Sequence, residues 1–286
     1  MKKKLWYAGM IVSMLVCILS GCSGNKEAAV KTEGAEEADS TALEDTSLTY
    51  VLDHGELILG FDNAFPPMGF TDDDQNNVGF DLDVAAEVAN RMGVDLVLRP
   101  ISWKAKEQEL ASKNIDCIWN GLSVTEDRKQ NLTLSEPYML NKQVMVTLID
   151  SDISTLEDLA GKRVVIQNGS TAQDAIDANA EFKDSLGDLL LVEDNVQAML
   201  DLKVGGSDAV VMDEVVAKYY INLDANAGQY KILDESLSDE EYAVAFRKGD
   251  NALCEEVNRI LKEMASDGTL ASISKAWFSE DITIIK

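Results

Sequence analysis

From residue 57 onward the chain alternates short apolar runs with amphipathic stretches, and this alternation constrains the fold more than any other feature. Residues 57–61, 94–98 and 115–119 read as buried strands. Between them, Leu82, Val84, Ala85, Val88, Ala89 and Met92 share one helical face, with Asp81 as the expected N-cap. Residues 104–113 form a second helical stretch, and Thr125-Glu126-Asp127-Arg128 starts a third. Pro66 and Pro67 make residues 62–68 a rigid loop. A second block repeats the pattern in kind. A helical turn at 156–159 precedes strands at 163–166, 189–192 and 209–212, with helices at 171–179, 195–203 and 214–221. Two more helices, at 251–266 and 270–278, close the chain. Such alternation predicts an α/β protein with parallel or mixed sheets. Two blocks predict two lobes.

Composition narrows the function classes. The 286 residues carry 51 acids against 25 bases, a net charge of −26. A nucleic-acid binder needs a basic face, so nucleic acid is excluded as a partner. The single histidine, His54, rules out histidine triads and multi-histidine zinc sites. It lies in a polar stretch and reads as a surface residue. Asp72-Asp73-Asp74 lacks the spacing and terminal Glu of a calcium loop and reads as a solvated turn. Phosphate-loop, dinucleotide and nucleophile-elbow motifs are missing from the sequence. No cofactor, metal or catalytic residue is expected.

The N-terminus reads as a targeting segment. Met1-Lys2-Lys3-Lys4 precedes an apolar run from Leu5 to Leu19 that is short for a membrane span. Residues 1–21 then form a signal peptide ending at Leu19-Ser20-Gly21-Cys22. Residues 22–47 are rich in Ser, Gly, Ala, Thr and Glu, and read as an acidic tether too poor in apolar groups to fold alone. Cys117 and Cys254 are expected to be buried free thiols.

Two turns after strands carry the candidate chemistry. Gly121-Leu122-Ser123 follows the 115–119 strand, with Arg128 shortly after. Gly169-Ser170-Thr171 opens a helix after the 163–166 strand. Helix N-termini attract anions, and the planar fork of an arginine matches a carboxylate. Asp213 ends the 209–212 strand, where ligands of α/β sheets sit, and could pair with an ammonium. Phe65 and Trp103 lie in loops after strands and could form aromatic walls. Anion grip, ammonium partner and walls together describe a site for a free α-amino acid.

The sequence resembles the polar amino-acid family of extracytoplasmic solute-binding proteins that feed ABC importers. The resemblance rests on residues 60–68, 78–83 and 114–128, on Ser135-Glu136-Pro137-Tyr138, Gly161-Lys162-Arg163-Val164 and Gly169-Ser170-Thr171, and on residues 207–213 and Trp277-Phe278. It implies a two-lobe periplasmic-binding-protein fold of the type II kind, with a ligand cleft and a hinge of two crossings. Lobe one would comprise 48–142 plus 243–286, and lobe two 143–242. Arg128, Ser123 and the Thr171 backbone resemble the family's carboxylate donors. Asp213, helped by the Gly121 carbonyl, resembles its ammonium acceptor, and Phe65 and Trp103 its side-chain walls. Asp62, Asn120, Gln167 and Met212 fall where members vary with substrate. The tetrapeptide ending at Cys22 is similar to a lipoprotein signal, which implies a lipid on Cys22 and an anchor at the outer face of the bacterial cell membrane. The implied partners are an amino-acid ligand and an importer permease, with the protein itself a monomer. An enzyme of the same fold, of the cyclohexadienyl dehydratase type, is the alternative reading.

Overall fold

The computed structural model describes residues 44–286; the signal segment, Cys22 and most of the expected tether lie outside the described residues. The chain begins with α1 (Ser47–His54) and β1 (Glu56–Phe61), then a small antiparallel sheet of β2 (Ala64–Phe65), β3 (Gly69–Thr71) and β4 (Asn77–Val78). Next come α2 (Phe80–Met92), β5 (Asp95–Pro100), α3 (Lys106–Ala111), β6 (Cys117–Ile118), α4 (Glu126–Asn131), β7 (Leu132–Leu134) and the long β8 (Met139–Leu148). The second block runs through β9 (Arg163–Gln167), α5 (Thr171–Ala178), α6 (Ala180–Ser185), β10 (Asp188–Val192), α7 (Asn195–Lys203), β11 (Ala209–Asp213) and α8 (Glu214–Asn222). It returns along β12 (Tyr230–Tyr242) to β13 (Ala245–Arg247), α9 (Asn251–Asp267) and α10 (Thr269–Phe278).

Two five-stranded sheets result, in the orders β5-β1-β6-β13-β7 and β10-β9-β11-β8-β12. In each, three parallel strands are extended by antiparallel ones. The fold is the two-lobe α/β architecture. The chain leaves the first sheet along β8 and comes back along β12, and these two strands pair antiparallel. Leu57, Leu59, Val88 and Ile260 are fully buried around the first sheet, and Val164, Ile166 and Ile176 around the second. Burying each such side chain contributes roughly 1.5–3 kcal/mol.

Four local readings change. Asp81 does not cap α2, which starts after Gly79. Its carboxylate turns inward instead and accepts from the Gly121 N–H at 2.7 Å and the Tyr138 hydroxyl at 2.9 Å. The 104–113 stretch splits into a 3-10 turn at Trp103–Ala105 and the short α3. Order also begins earlier than Leu48. Asp45 accepts from the Ala252 N–H at 2.6 Å and Ser47 from the Leu253 N–H at 3.1 Å. They satisfy free donors at the start of α9, whose own cap residue Asp250 makes no side-chain cap bond. Finally, β8 and β12 are strands that the alternation does not show. Both cysteines are buried and free, and burial pushes the Cys254 thiol up to about 11.

Candidate functional site

The carboxyl ends of β1, β6, β9 and β11 converge. Each delivers a polar residue at the strand end or within two positions of it: Asp62 and Asn120 just beyond, and Gln167 and Asp213 at the ends themselves. Gly121 turns the chain after β6 with φ +57°, and a Cβ there would lie 2.7 Å from the Phe65 ring. Only glycine suits both demands. Ser170 caps α5, accepting from the Gln173 N–H at 3.3 Å, so the Thr171 N–H opens the helix toward the same space. Thr125 caps α4 by accepting from the Arg128 N–H at 3.2 Å.

These turns enclose a cavity of only about 10 Å³, lined by Phe65, Trp103, Gly121, Ser123, Arg128, Gln167, Ser170, Thr171 and Asp213. That is about the room one water needs, so the walls stand closed on one another. A larger groove beside Leu140, Tyr219 and Trp277 gathers no comparable set of groups, and its Lys218 is already paired with Glu214 at 3.0 Å.

Arg128 is 5% exposed. It donates from Nη1 to the Ser123 carbonyl at 2.7 Å, and its nearest carboxylate, Glu107, is 3.8 Å away. Burial pushes its pKa down, against the pull of the surrounding acids. A buried cation is costly unless paired, so this guanidinium is an open demand for an anion. Asp213 supplies the opposite charge. Its Oδ1 accepts from Asn141 at 2.6 Å, Tyr242 at 2.7 Å and Gln143 at 2.9 Å. Burial, with Glu240 nearby, raises its carboxyl to about 7. Phe65 and Trp103 stand with ring centroids 6.4 Å apart and planes within 7°. Both are largely buried, because the cleft is closed around them. Gln167 donates to Asp62 at 2.6 Å, Ser102 to Glu193 at 2.6 Å, and Lys106 to the Gly169 carbonyl at 3.0 Å. Each of these joins residues near the first sheet to residues near the second.

Of the residues expected at the site, eight line the cavity. Asp62 joins it through Gln167, and burial raises its carboxyl to about 6. Asn120 stands one step behind, accepting from the Asp62 N–H at 3.0 Å. Met212 is the exception. Side chains alternate along β11, so Met212 is buried in the apolar core rather than against the cavity. Sequence reasoning missed Asn141, Gln143, Glu240 and Tyr242. No local signal marks them: on β8 the polar Asn141 and Gln143 are buried while Leu140 and Lys142 between them are exposed, the reverse of an apolar-in pattern.

The profile of the bacterial extracellular solute-binding proteins, family 3, matches residues 57–280. The chain belongs to that family. This family 3 solute-binding protein is 31% identical to an L-cystine-binding protein of Escherichia coli (strain K12), over 82% of its own length and 87% of the relative's. Its fold matches a Streptococcus pneumoniae ABC uptake transporter substrate-binding protein with bound histidine, with TM-score 0.81 and 34% identity, covering 84% and 98% of the two chains. It also matches an ancestral amino acid-binding protein described as a precursor of cyclohexadienyl dehydratase, with TM-score 0.74 and 30% identity over 81% and 99%. The named relatives are binding proteins rather than enzymes. The solute-binding protein therefore has a binding role within a family that works with ABC transporters.

Proposed function

We propose that this solute-binding protein captures a free polar L-amino acid in this cleft, which opens from its closed form to admit it, and delivers it to an ABC importer. One observation carries the reading: a buried, under-paired Arg128 and a buried Asp213 line the same small cavity between parallel aromatic walls. Arg128 takes the ligand carboxylate, with the Thr171 N–H beside it and Ser123 Oγ joining once its hydrogen turns from Glu240. Asp213 takes the α-ammonium, with the Gly121 carbonyl beside it. The side chain lies between Phe65 and Trp103 toward Asp62, Asn120 and Gln167. The lobes are residues 48–142 plus 243–286 and residues 143–242, joined by β8 and β12, and they open and close about those crossings as a monomer. Relatives named for cystine, arginine and histidine support an amino acid as the ligand class.

A thermal-shift screen of the twenty amino acids with cystine and ornithine tests the reading, since a ligand raises stability by mass action. At least one is expected to raise the melting temperature, and none doing so overturns it. In the same proposal Cys22 carries the lipid that holds the protein at the outer face of the cell membrane. Cys22→Ala is expected to abolish incorporation of a fatty-acid analogue, and undiminished labelling of the variant rejects the anchor.

A further inference from the structure

The floor of the cleft holds a second carboxylate. Glu240 lies on β12 directly opposite Asn141 on β8, so the two side chains share a face. Its Oε2 accepts from Ser123 Oγ at 2.6 Å, from Asn141 Nδ2 at 3.0 Å and from Gln143 Nε2 at 3.0 Å. The same two amides reach Asp213 Oδ1. An amide carries donors at one corner and an acceptor at the other. Two carboxylates converging on the nitrogens hold both amides with their NH₂ groups inward. Among the described residues, the Asn141 and Gln143 oxygens are left buried without a partner. Unpartnered buried acceptors are unfavourable, so something must hold the amides that way round. Asp213 cannot do it alone, because a protonated Asp213 accepts the opposite amide orientation as readily. Glu240 is the second carboxylate in the network and, among the described residues, the only acceptor besides Asp213 that both amides share; Thr171 Oγ1, 3.2 Å from Gln143 Nε2, competes for the hydrogens of that amide alone. It also uses the single hydroxyl hydrogen of Ser123.

We infer that Glu240 is a positioning residue for the ammonium acceptor: from the return crossing it orients the Asn141 and Gln143 amides, which fasten one oxygen of Asp213 and leave the other for the ligand. The inference rests on the amino-acid reading above. Among the described residues no hydrogen bond reaches Asp213 Oδ2, and Asp213 lines the cavity. The charged and titratable groups around the pair are Arg128 from α4 and Tyr242 from β12. Lys142, next along β8, reaches Asp239 rather than the floor. Glu240 therefore has two effects of opposite sign. It fixes the geometry that favours ligand, and its charge opposes ionisation of Asp213.

The test uses the full chain with Glu240→Gln, Glu240→Asp and Asp213→Asn. L-arginine, L-cystine, L-glutamine and L-histidine are the probes in calorimetry from about pH 5 to about pH 9. The carboxyl carbon of Asp213 is titrated by NMR without ligand. Wild-type affinity is expected to fall as the pH drops through about 7, where Asp213 takes up a proton. Glu240→Gln is expected to weaken the best probe about tenfold at high pH, about 1.4 kcal/mol. It also moves both the binding midpoint and the Asp213 titration to lower pH, because the neighbouring negative charge is gone. Glu240→Asp is expected to restore the midpoint. A loss of affinity with an unmoved midpoint, or no change in either, overturns the role of Glu240. If Asp213→Asn binds the best probe as tightly as wild type, the amino-acid grip fails instead, while the ligand-free titration still decides whether Glu240 acts on Asp213.

Discussion

At one end of the cleft Asp213 takes three side-chain hydrogen bonds, from Asn141, Gln143 and Tyr242; at the other, Asp62 takes one side-chain bond, from Gln167. The three donors at the first end come from β8 and β12. Gln143 is the register partner of Asp213 itself, so this end is built whether or not the lobes are together. The single bond at the second end spans from the end of β9 to the end of β1, and exists only when they meet. In the proposed reading the built end faces the ammonium every amino acid carries, while Arg128 brings the carboxylate contact from the other lobe. The end made by closure would face the part that differs between amino acids. Rigid recognition of the common part and adaptable recognition of the variable part can thus sit in one small cavity.

The largest effects should come from the two buried charges, Arg128 and Asp213. Arg128→Ala and Asp213→Ala are each expected to weaken binding of the preferred amino acid by at least about thirtyfold, because removing one partner of a buried charge pair costs roughly 2–5 kcal/mol. Arg128→Lys should also fail substantially, since an ammonium lacks the planar fork. Calorimetry on ligand-stripped protein reads both, and wild-type affinity in folded variants would erase the distinction between the ends. A smaller effect is expected at the other end. Asp62→Asn and Gln167→Ala should reorder the preference among amino acids while holding the best one within about tenfold of wild type. Competition assays across the amino acids measure this, and an unchanged order would mean that the variable end lies elsewhere.

The smallest effect is on stability without ligand. Burial raises Asp62 to about 6 and Asp213 to about 7. A carboxyl raised in the folded state contributes stability that is present at low pH and lost as pH rises through its folded value. The melting temperature of the ligand-free protein is therefore expected to fall between about pH 4 and about pH 7. Asp62→Asn should remove the part of that fall below about pH 6, and Asp213→Asn the part extending to about pH 7. A flat profile in all three proteins would contradict the burial argument.

Much of this site was legible in the chain. Gly121-Leu122-Ser123 and Gly169-Ser170-Thr171 follow apolar runs and open helices, which are local signals of turn, cap and free N–H groups. Arg128 and Asp213 stand at fixed offsets from those signals, and both line the cavity. Met212 was misread because a residue beside a site residue on a strand faces the other way. Asp81 was misread because an acid before a helix reads as a cap, and its true partners, Gly121 and Tyr138, lie 40 and 57 residues away.

The sequence by itself determined the strand and helix alternation, the turns that end the parallel strands, and the residue types at those ends, since all are set by interactions within a few positions. Only the tertiary structure decided the cleft floor. Asn141 and Glu240 are 99 residues apart, and in the chain they look like ordinary polar positions on a charged stretch. What makes them part of a site is the antiparallel register of β8 with β12. That register is fixed by pairing between two strands far apart in sequence, with shifts between Ile232 and Ser238, so no short window of sequence contains it.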